Sequence, residues 1–307
     1  MKRAFFGWVS TLLVLSAGVT VQAQKVVQFE KSSAYHHIQV YDEDGMRTLS
    51  FNGSWETTMS LDDPLAGHFE YTEYFQMPWL WNHNIQRVLM VGLGGGSTPR
   101  AYLHYYPKVK METVEIDPTV VEVAQKYFHV PQNTNHVIHV EDARVFLRRT
   151  TNKYDVILMD AYSTTRYGSS LPPHLTTREF FEIANNRLTT NGVFAYNVIG
   201  QVTSGGFRTE VMGALYRTMA AVFPHVYLFP ATETQNVVMV ATKSKELFDA
   251  ARIQREAESL VRSKIVTLPT FEERSRNFDS ALPAGANQAP ILTDNYAPIE
   301  ALLNGNK

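Results

Sequence analysis

Short runs of alternating apolar and polar residues occupy the chain from residue 26 to about residue 84, as in residues 37–41. An alternation with a period of two is typical of strands that bury one face. Asp44–Gly45 and Asn52–Gly53 stand between these runs, and such pairs favour two-residue hairpin turns. The pattern therefore predicts a small N-terminal antiparallel β subdomain over residues 24–84.

The pattern changes at residue 85, where continuous apolar runs begin to alternate with longer stretches of helical periodicity. The apolar runs predict buried strands over residues 87–91, 110–116, 137–140, 154–159 and 192–198. The stretches between them predict helices over residues 98–106, 118–128, 143–149 and 178–188. Because strands and helices alternate, we expect a parallel doubly wound α/β sheet with a Rossmann-like topology over residues 85–245.

Three further elements follow the last of these strands. A helix is predicted over residues 207–221, and residues 226–229 and 236–242 are predicted to form a closing β hairpin. The remainder, residues 246–307, is predicted to be a C-terminal helical extension with a proline-punctuated stretch.

A glycine-rich turn over residues 92–97 follows the first buried strand directly. Glycine accepts positive φ and lets the backbone approach a ligand closely. The turn predicts that Gly92, Gly94, Gly95 and Gly96 bind a nucleotide cofactor. Glycine runs also form plain tight turns, but the position between a strand and a helix favours the binding interpretation.

Acidic residues end the second and third predicted strands. Glu115 is the candidate for accepting both ribose hydroxyls, and Asp117 suits the N-cap of the helix that begins at Pro118. Asp142, followed by Ala143, can accept the exocyclic amine of adenine or cap the next helix, and the sequence leaves both roles open. NAD would use the same geometry, but an acid after the third strand favours an adenosine without a pyrophosphate.

Taken together, these motifs resemble the polyamine aminopropyltransferase, or spermidine synthase, family over nearly the whole chain after residue 23. The segments that carry the resemblance are residues 33–38, 69–73, 88–97, 114–117, 141–143 and 154–160. The resemblance implies a class I methyltransferase-type Rossmann-like fold and a small-molecule amine as substrate. It also implies decarboxylated S-adenosylmethionine or S-adenosylmethionine as co-substrate, and a homodimer formed through the N-terminal subdomain.

The resemblance places Asp160, after the fourth strand, as the general base for the attacking amine. A carboxylate there can take the proton that the amine loses and can stabilise the cation before that step. Asp160 could instead cap the loop before Tyr162. The resemblance also implies two residues that bind the amine substrate. Tyr71 lies in the segment that resembles the family's substrate gate, and Ser163 lies in the loop after Asp160.

Three positions depart from the family pattern. Gly95 stands where the family usually has an aspartate for the aminopropyl ammonium, Thr72 where it has a histidine, and Ser163 where it has a second aspartate. The loss of two carboxylates is expected to weaken the binding of cationic amines. Gly95 is expected to leave room for the carboxylate of intact S-adenosylmethionine. The sequence leaves open whether Glu70, Glu73 or Asp294 compensates for Thr72 and Ser163.

Residues 171–180 and 292–298 resemble the branch of spermidine-synthase-like proteins that is often fused to membrane transporter segments. Three functions therefore remain in competition. The first is aminopropyl transfer in polyamine biosynthesis, the second is a methyltransferase or lyase reaction of intact S-adenosylmethionine, and the third is a non-catalytic binding protein.

The composition of the chain argues against some classes of partner and of chemistry. The chain has 28 basic and 30 acidic residues, so its net charge of −2 gives no reason to expect nucleic acid as a partner. It has no cysteine, which excludes thiolate chemistry and disulfides. His36 and His37 are adjacent and would point to opposite faces of a strand, so we predict no metal site there.

The first 23 residues are predicted to be a cleavable signal peptide. Lys2 and Arg3 precede a mostly apolar run, and residues 21–23 form a small-residue cleavage motif. An uncleaved anchor is the alternative, but the run is shorter than the roughly 20 residues that a membrane span needs. We therefore expect export to the periplasm or the medium, and no membrane span in the mature chain.

Overall fold

The computed structural model describes residues 24–165 and 168–304. The predicted signal peptide, residues 1–23, lies outside the described residues. The strands are β1 (Val26–Ser32), β2 (His37–Glu43), β3 (Met46–Phe51), β4 (Ser54–Ser60), β5 (Arg87–Val91), β6 (Lys110–Glu115), β7 (His136–Val140), β8 (Tyr154–Met159), β9 (Ser163–Thr165), β10 (Gly168–Ser170), β11 (Leu188–Ile199), β12 (His225–Pro230) and β13 (Asn236–Thr242). The helices are α1 (Ser97–Tyr105), α2 (Pro118–Tyr127), α3 (Ala143–Arg149), α4 (Arg178–Arg187), α5 (Thr209–Ala220), α6 (Ala250–Arg262), α7 (Phe271–Ser275) and α8 (Ile299–Asn304).

The central sheet has seven strands in the order β12-β13-β11-β8-β5-β6-β7. Its five strands from β11 to β7 are parallel, and β13 pairs antiparallel with both β11 and β12. The predicted doubly wound sheet and its closing hairpin are both confirmed. Because the carboxyl ends of parallel strands meet at one edge, the loops after β5, β6, β7 and β8 are brought together there.

Helices cover both faces of this sheet, and the side chains of β5 show how. Leu89 and Val91 pack into a core with α3, α4 and α5. Val88 and Met90 pack into a second core with α1 and α6 on the opposite face. This alternation explains why a strand buried on both faces is apolar at every position.

The N-terminal subdomain is a four-stranded sheet in the order β1-β2-β3-β4, which confirms the prediction of a small antiparallel β subdomain. Both predicted turns have positive φ at their two central residues, with Asp44 at 51° and Gly45 at 75°, and Asn52 at 51° and Gly53 at 89°. Backbone of this handedness matches the twist of a two-residue hairpin. The sheet packs against α2, and its strands β3 and β4 contribute one wall of a cavity beside the central sheet.

A 3-10 helix over Glu70–Leu80 connects the N-terminal sheet to β5. Sequence patterns did not identify it, because its residues are mixed and Pro78 interrupts any helical period. Nearly all of its side chains from Tyr74 onward are buried, and it packs under α6 and α7. This 3-10 helix contains Tyr71, which lines the cavity beside the central sheet.

In the described part of the chain, none of the helices combines the length and the apolar character that a bilayer span would need. The C-terminal residues, predicted as a helical extension with a proline-punctuated stretch, contain the helices α6, α7 and α8. Ile253 of α6 lies in the same core as β5, and Ile299 of α8 packs into the core beside α5.

Candidate active site

A cavity of about 560 Å³ lies at the carboxyl edge of the parallel strands, between the N-terminal sheet and the loops of the central sheet. This is where open α/β sheets place their ligands, and the volume suits a nucleoside with a second small molecule. Most of the predicted site residues line it: Tyr71, Gly92, Gly94, Glu115, Asp142, Ala143, Asp160 and Ser163. Gly95 and Gly96 lie outside its wall.

The glycine loop folds back tightly beneath the cavity. Gly92 has a φ of 87°, and a side chain there would collide with the backbone carbonyl of Asp160. Gly94 and Gly96 also have positive φ, at 52° and 71°, and a side chain at Gly96 would strike Val130. Three of the four glycines are thus required by backbone geometry, and this brings β5 close to the loop after β8.

Gly95 faces the N-terminal sheet. Its backbone N–H donates a 2.9 Å hydrogen bond to Thr57 Oγ1. A Cβ at this position would lie 2.7 Å from Thr57 Cγ2 and 3.0 Å from Phe128 Cδ1. The expectation that Gly95 leaves room for a cofactor carboxylate is therefore wrong for the side of Gly95 that faces the N-terminal sheet, because Thr57 of β4 fills the space there.

Glu115 is buried at the end of β6 and accepts two backbone hydrogen bonds of 2.9 Å, one from Leu93 and one from Asp117. Burial raises its pKa to about 7, although these hydrogen bonds oppose the shift. A carboxylate has about four acceptor positions, so capacity remains for two ribose hydroxyls. Asp117 accepts from Thr119 N and caps α2, as predicted.

Asp142 fulfils the capping alternative, because its Oδ1 accepts from Val145 N at 2.9 Å at the start of α3. Its Oδ2 lies 2.8 Å from His174 Nε2. Both residues line the cavity, and Asp142 retains acceptor positions that face it. The capping role therefore leaves the predicted contact with adenine possible, and His174 lines the cavity beside Asp142.

Asp160 lies at the end of β8 and its carboxyl group is held from two sides. Tyr71 donates from its hydroxyl to Oδ2 at 3.1 Å, and Asn197 donates from its side-chain amide to Oδ1 at 2.8 Å. Burial raises the pKa of Asp160 to about 6, and the hydrogen bonds from Asn197 and Tyr71 oppose that rise. A buried carboxyl group that is ionised near neutral pH suits a general base.

The three carboxylates considered as compensation for Thr72 and Ser163 are engaged elsewhere. Glu70 accepts from Thr232 N at 2.8 Å and Glu233 N at 2.5 Å. Glu73 pairs with Arg274 at 2.5 Å and Asp294 pairs with Arg144 at 2.5 Å. None of the three lines the cavity, so they hold elements together instead of binding an amine.

The aromatic residues near the cavity divide between its wall and the core. Tyr71 lines the cavity, whereas Tyr74 and Trp79 belong to the core and Trp81 packs against it. His36 lies at the cavity wall, stacked on Phe51 with ring centroids 4.3 Å apart. Within residues 24–165 and 168–304, no group of His, Asp and Glu side chains is arranged to hold a metal ion.

Sequence reasoning missed Asn197 and Asn236. Asn236 donates to Asn197 Oδ1 at 3.0 Å and so fixes which end of that amide faces Asp160. Asn197 is a buried polar residue within the mostly apolar second half of β11, and Asn236 opens the fully buried β13. A polar residue in such a strand needs a partner, and this signal could have identified both.

The chain is similar to known proteins in sequence and in fold. A family profile described as the spermine/spermidine synthase domain matches residues 68–249. A polyamine aminopropyltransferase of Vibrio vulnificus is 32% identical over 290 residues, which cover 91% of this chain and 92% of the relative. The match spans both subdomains and not only the nucleotide-binding part.

Two solved structures are also similar. A spermidine synthase in complex with the transition-state analogue AdoDATO superposes with a TM-score of 0.60 at 23% identity, covering 82% of this chain and 88% of the other. Human methyltransferase-like protein 13 in complex with SAH superposes with a TM-score of 0.54 at 25% identity, covering 64% of this chain and 91% of the other. The fold is thus common to two reaction types, whereas the family profile and the Vibrio relative select one. The chain belongs to the spermine/spermidine synthase family.

Proposed function

We propose that the protein transfers an aminopropyl group from decarboxylated S-adenosylmethionine to a small amine, as a step of polyamine biosynthesis. One observation carries the proposal: the Asp160 carboxyl group faces the same cavity as Glu115 and Asp142 and is held there by Tyr71 and Asn197. The cavity thus has an adenosine end and a proton-accepting end. The aminopropyltransferase relative with near-complete coverage supports the same reaction.

The adenosine end is built from two acids at successive strand ends. Glu115 offers its remaining acceptor positions to the ribose hydroxyls, and Asp142 offers one to the exocyclic amine of adenine. Gly92 and Gly94 let the backbone approach the nucleoside without side-chain interference. This arrangement would present the sulfonium carbon toward Asp160.

At the other end, Asp160 accepts the proton of the attacking amine. The amine nitrogen forms a bond to the methylene carbon beside the sulfonium, the carbon–sulfur bond breaks, and its electron pair stays on sulfur as a neutral thioether. The Asp160 oxygen takes the proton before this attack, which frees the nitrogen lone pair, and the secondary ammonium that forms keeps its own protons. Before this step the ionised carboxylate stabilises the cationic amine, while Tyr71 and Asn197 hold the carboxyl group in place.

The test is product analysis with the purified chain, decarboxylated S-adenosylmethionine and a panel of amines that includes putrescine and spermidine. We expect an aminopropylated amine and methylthioadenosine in equal amounts, both abolished by Asp160→Asn. Binding of the decarboxylated donor without turnover of any amine would instead favour a binding protein.

Methyl transfer from intact S-adenosylmethionine is a second candidate. It is favoured by the similarity to human methyltransferase-like protein 13, whose structure contains SAH. The same assay with intact S-adenosylmethionine distinguishes the two, because methyl transfer releases S-adenosylhomocysteine and aminopropyl transfer releases methylthioadenosine.

We also propose export and self-association. The basic and apolar pattern of residues 1–23 supports a cleaved signal peptide, and cell fractionation with N-terminal sequencing of the mature chain tests it. Val26 and Val27 on the edge strand β1 are about half exposed, at 50% and 47%, which supports a homodimer through the N-terminal sheet. Light scattering of wild type and of Val27→Lys tests the dimer.

A further inference from the structure

One buried carboxylate joins the 3-10 helix to the loop between β12 and β13, residues 231–235. Glu70 is the first residue of that helix, and its side chain is fully buried. Its Oε2 accepts from Thr232 N at 2.8 Å and from Glu233 N at 2.5 Å, and its Oε1 accepts from Thr232 Oγ1 at 2.9 Å. The β12–β13 loop therefore donates three hydrogen bonds to this single side chain.

Two further donors complete the contacts of this carboxylate. Tyr74 donates from its hydroxyl to Oε1 at 2.8 Å, and Arg274 Nη1 of α7 lies 3.2 Å from Oε1. An ionised carboxylate has about four acceptor positions, so these contacts occupy the capacity of Glu70. Glu70 therefore acts by joining elements of the fold and not by contacting a substrate.

The helix that begins at Glu70 carries one of the two groups that hold Asp160. Tyr71 follows Glu70 directly in the chain, and its hydroxyl donates to Asp160 Oδ2 at 3.1 Å. The peptide unit between adjacent residues is rigid, so a shift of the backbone at Glu70 also moves Tyr71. The position of Tyr71 relative to Asp160 thus depends on how Glu70 is held.

The β12–β13 loop leads to the other group that holds Asp160. A 2.8 Å hydrogen bond from Ala231 N to Asn236 O closes the loop. Asn236 donates to Asn197 Oδ1 at 3.0 Å, and Asn197 donates to Asp160 Oδ1 at 2.8 Å. Both oxygens of the Asp160 carboxyl group are therefore held from elements that Glu70 joins.

We propose that Glu70 is a positioning residue for aminopropyl transfer, which fixes the 3-10 helix against the β12–β13 loop and so keeps Tyr71 and Asn197 within hydrogen-bonding distance of Asp160. The inference rests on the proposed function, because it takes Asp160 as the group that accepts the proton. Hydrogen bonds from Tyr71 and Asn197 favour the ionised carboxylate, whereas burial favours the protonated form. Loss of the Glu70 contacts should weaken both hydrogen bonds while Asp160 stays buried, and should leave less of the base ionised.

Glu70→Gln tests the inference with little change of shape. We expect the amide oxygen at the position of Oε1, facing Tyr74 and Arg274, because the amide NH2 would otherwise point at a guanidinium. The NH2 then faces Thr232 N and Glu233 N, which lose their acceptor. The variant thus releases the loop and keeps the other contacts of the side chain.

Two further variants separate the loop contact from stability in general. Thr232→Ala removes one loop donor at an exposed residue, so it should fold even if Glu70→Gln does not. Glu73→Gln is the matched control, because it makes the same change of charge on the same helix and removes a 2.5 Å contact to Arg274. Its other ion pair is with His68 at 3.1 Å, so the loop contacts of Glu70 remain.

The pKa of the Asp160 carboxyl group can be measured without turnover. Carbon-13 NMR follows its carboxyl carbon between pH 4 and 9, and the signal is assigned by its absence from Asp160→Asn. Burial first raises the pKa of Tyr71, Tyr162 and Tyr196, so these neighbouring hydroxyls stay neutral over that range. The charge of Glu56 also acts on Tyr71, and this acid is the same in all the variants compared.

In Glu70→Gln we expect the pKa of Asp160 to rise by about half a unit or more, and kcat with the most active amine to fall about tenfold. The dissociation constant of methylthioadenosine, measured by calorimetry, should change by less than about twofold, because other elements build the adenosine end. Thr232→Ala should change the pKa and kcat in the same directions by less. Glu73→Gln should lower the midpoint of urea unfolding and leave the pKa and kcat as in wild type.

An unchanged or lowered pKa of Asp160 in Glu70→Gln would overturn the inference, and Thr232→Ala decides if the first variant does not fold. An equal rise in Glu73→Gln would also overturn it, because the helix as a whole and not its contact with the loop would then matter. A wild-type chain that forms no product with any amine would overturn the proposed function alone, since the pKa comparison still decides whether Glu70 positions Asp160.

Discussion

The side-chain amide of Asn197 donates a 2.8 Å hydrogen bond to Asp160 Oδ1. Asn236 donates to the oxygen of the same amide at 3.0 Å, which fixes its orientation so that the nitrogen faces Asp160. This chain of two amides stabilises the ionised form of Asp160 against the effect of burial. The proton affinity of the proposed base therefore depends on β11, which lies beside β8, and on β13, which lies beside β11.

Replacing Asn197 by alanine should raise the pKa of Asp160 above its present value of about 6, because burial remains while one donor is lost. The acid limb of the kcat/KM profile should then move to higher pH by roughly one unit. Profiles of wild type and Asn197→Ala between pH 5 and 9 measure this. An acid limb that stays in place would show that Asp160 is not the titrating group.

Asp160→Asn should lower the activity of the protein and raise its stability at neutral pH. The pKa of Asp160 is raised by burial from 3.8 to about 6, so the folded chain binds this proton more tightly than the unfolded chain. Its contribution to the free energy of unfolding therefore falls as pH rises from about 4 to about 6, and the loss is complete above that range.

We accordingly expect Asp160→Asn to be more stable than wild type at pH 7.5 by about 1–3 kcal/mol, and to show no gain near pH 4. Turnover should fall by about 10²–10⁴ if the base is lost. Urea unfolding at the two pH values measures the stability. If the variant gained more stability over wild type at pH 4 than at pH 7.5, that result would contradict a raised pKa of Asp160.

Binding of an adenosine ligand should release a proton near neutral pH. The pKa of Glu115 is raised by burial to about 7, so the free protein is partly protonated there. Ribose hydroxyls donate to the ionised carboxylate and therefore favour loss of that proton. Calorimetry of methylthioadenosine in buffers of different ionisation enthalpy at pH 7 should detect the release, which should vanish at pH 9 and in Glu115→Gln.

Gly95→Asp should destabilise the chain, because its Cβ would lie 2.7 Å from Thr57 Cγ2. We expect a loss of about 1–3 kcal/mol, typical of overpacking. Thr57→Ser removes that methyl group and keeps the hydroxyl that accepts from Gly95 N, so it should recover part of the loss in the double variant. Urea unfolding of both single variants and the double variant tests the coupling, and strictly additive effects would contradict a Thr57 clash.

Local patterns predicted much of the fold. The strands β5, β8 and β13 and the helix α3 have the predicted bounds, and the other predicted elements of residues 85–245 differ by a few residues at their ends. The glycine loop and the acids at Glu115, Asp142 and Asp160 were found because each follows a buried strand directly. The carboxyl ends of adjacent parallel strands necessarily meet, so the sequence order of these residues was sufficient to place them in one cleft.

Other parts of the site depend on contacts that no local pattern encodes. Asn197 reaches Asp160 across 37 positions of sequence, and Thr57 reaches Gly95 across 38. Glu70 reaches Thr232 across 162.

The sequence by itself determined the order of the elements, the glycine loop and the acids at the strand ends, because these follow from apolar periodicity and from the backbone freedom of glycine. Only the tertiary structure decided that Thr57 occupies the space beside Gly95, that Asn197 supports Asp160 and that Glu70 joins the 3-10 helix to the β12–β13 loop. Each of these depends on which strands become neighbours and in what register, and packing of the whole chain sets both.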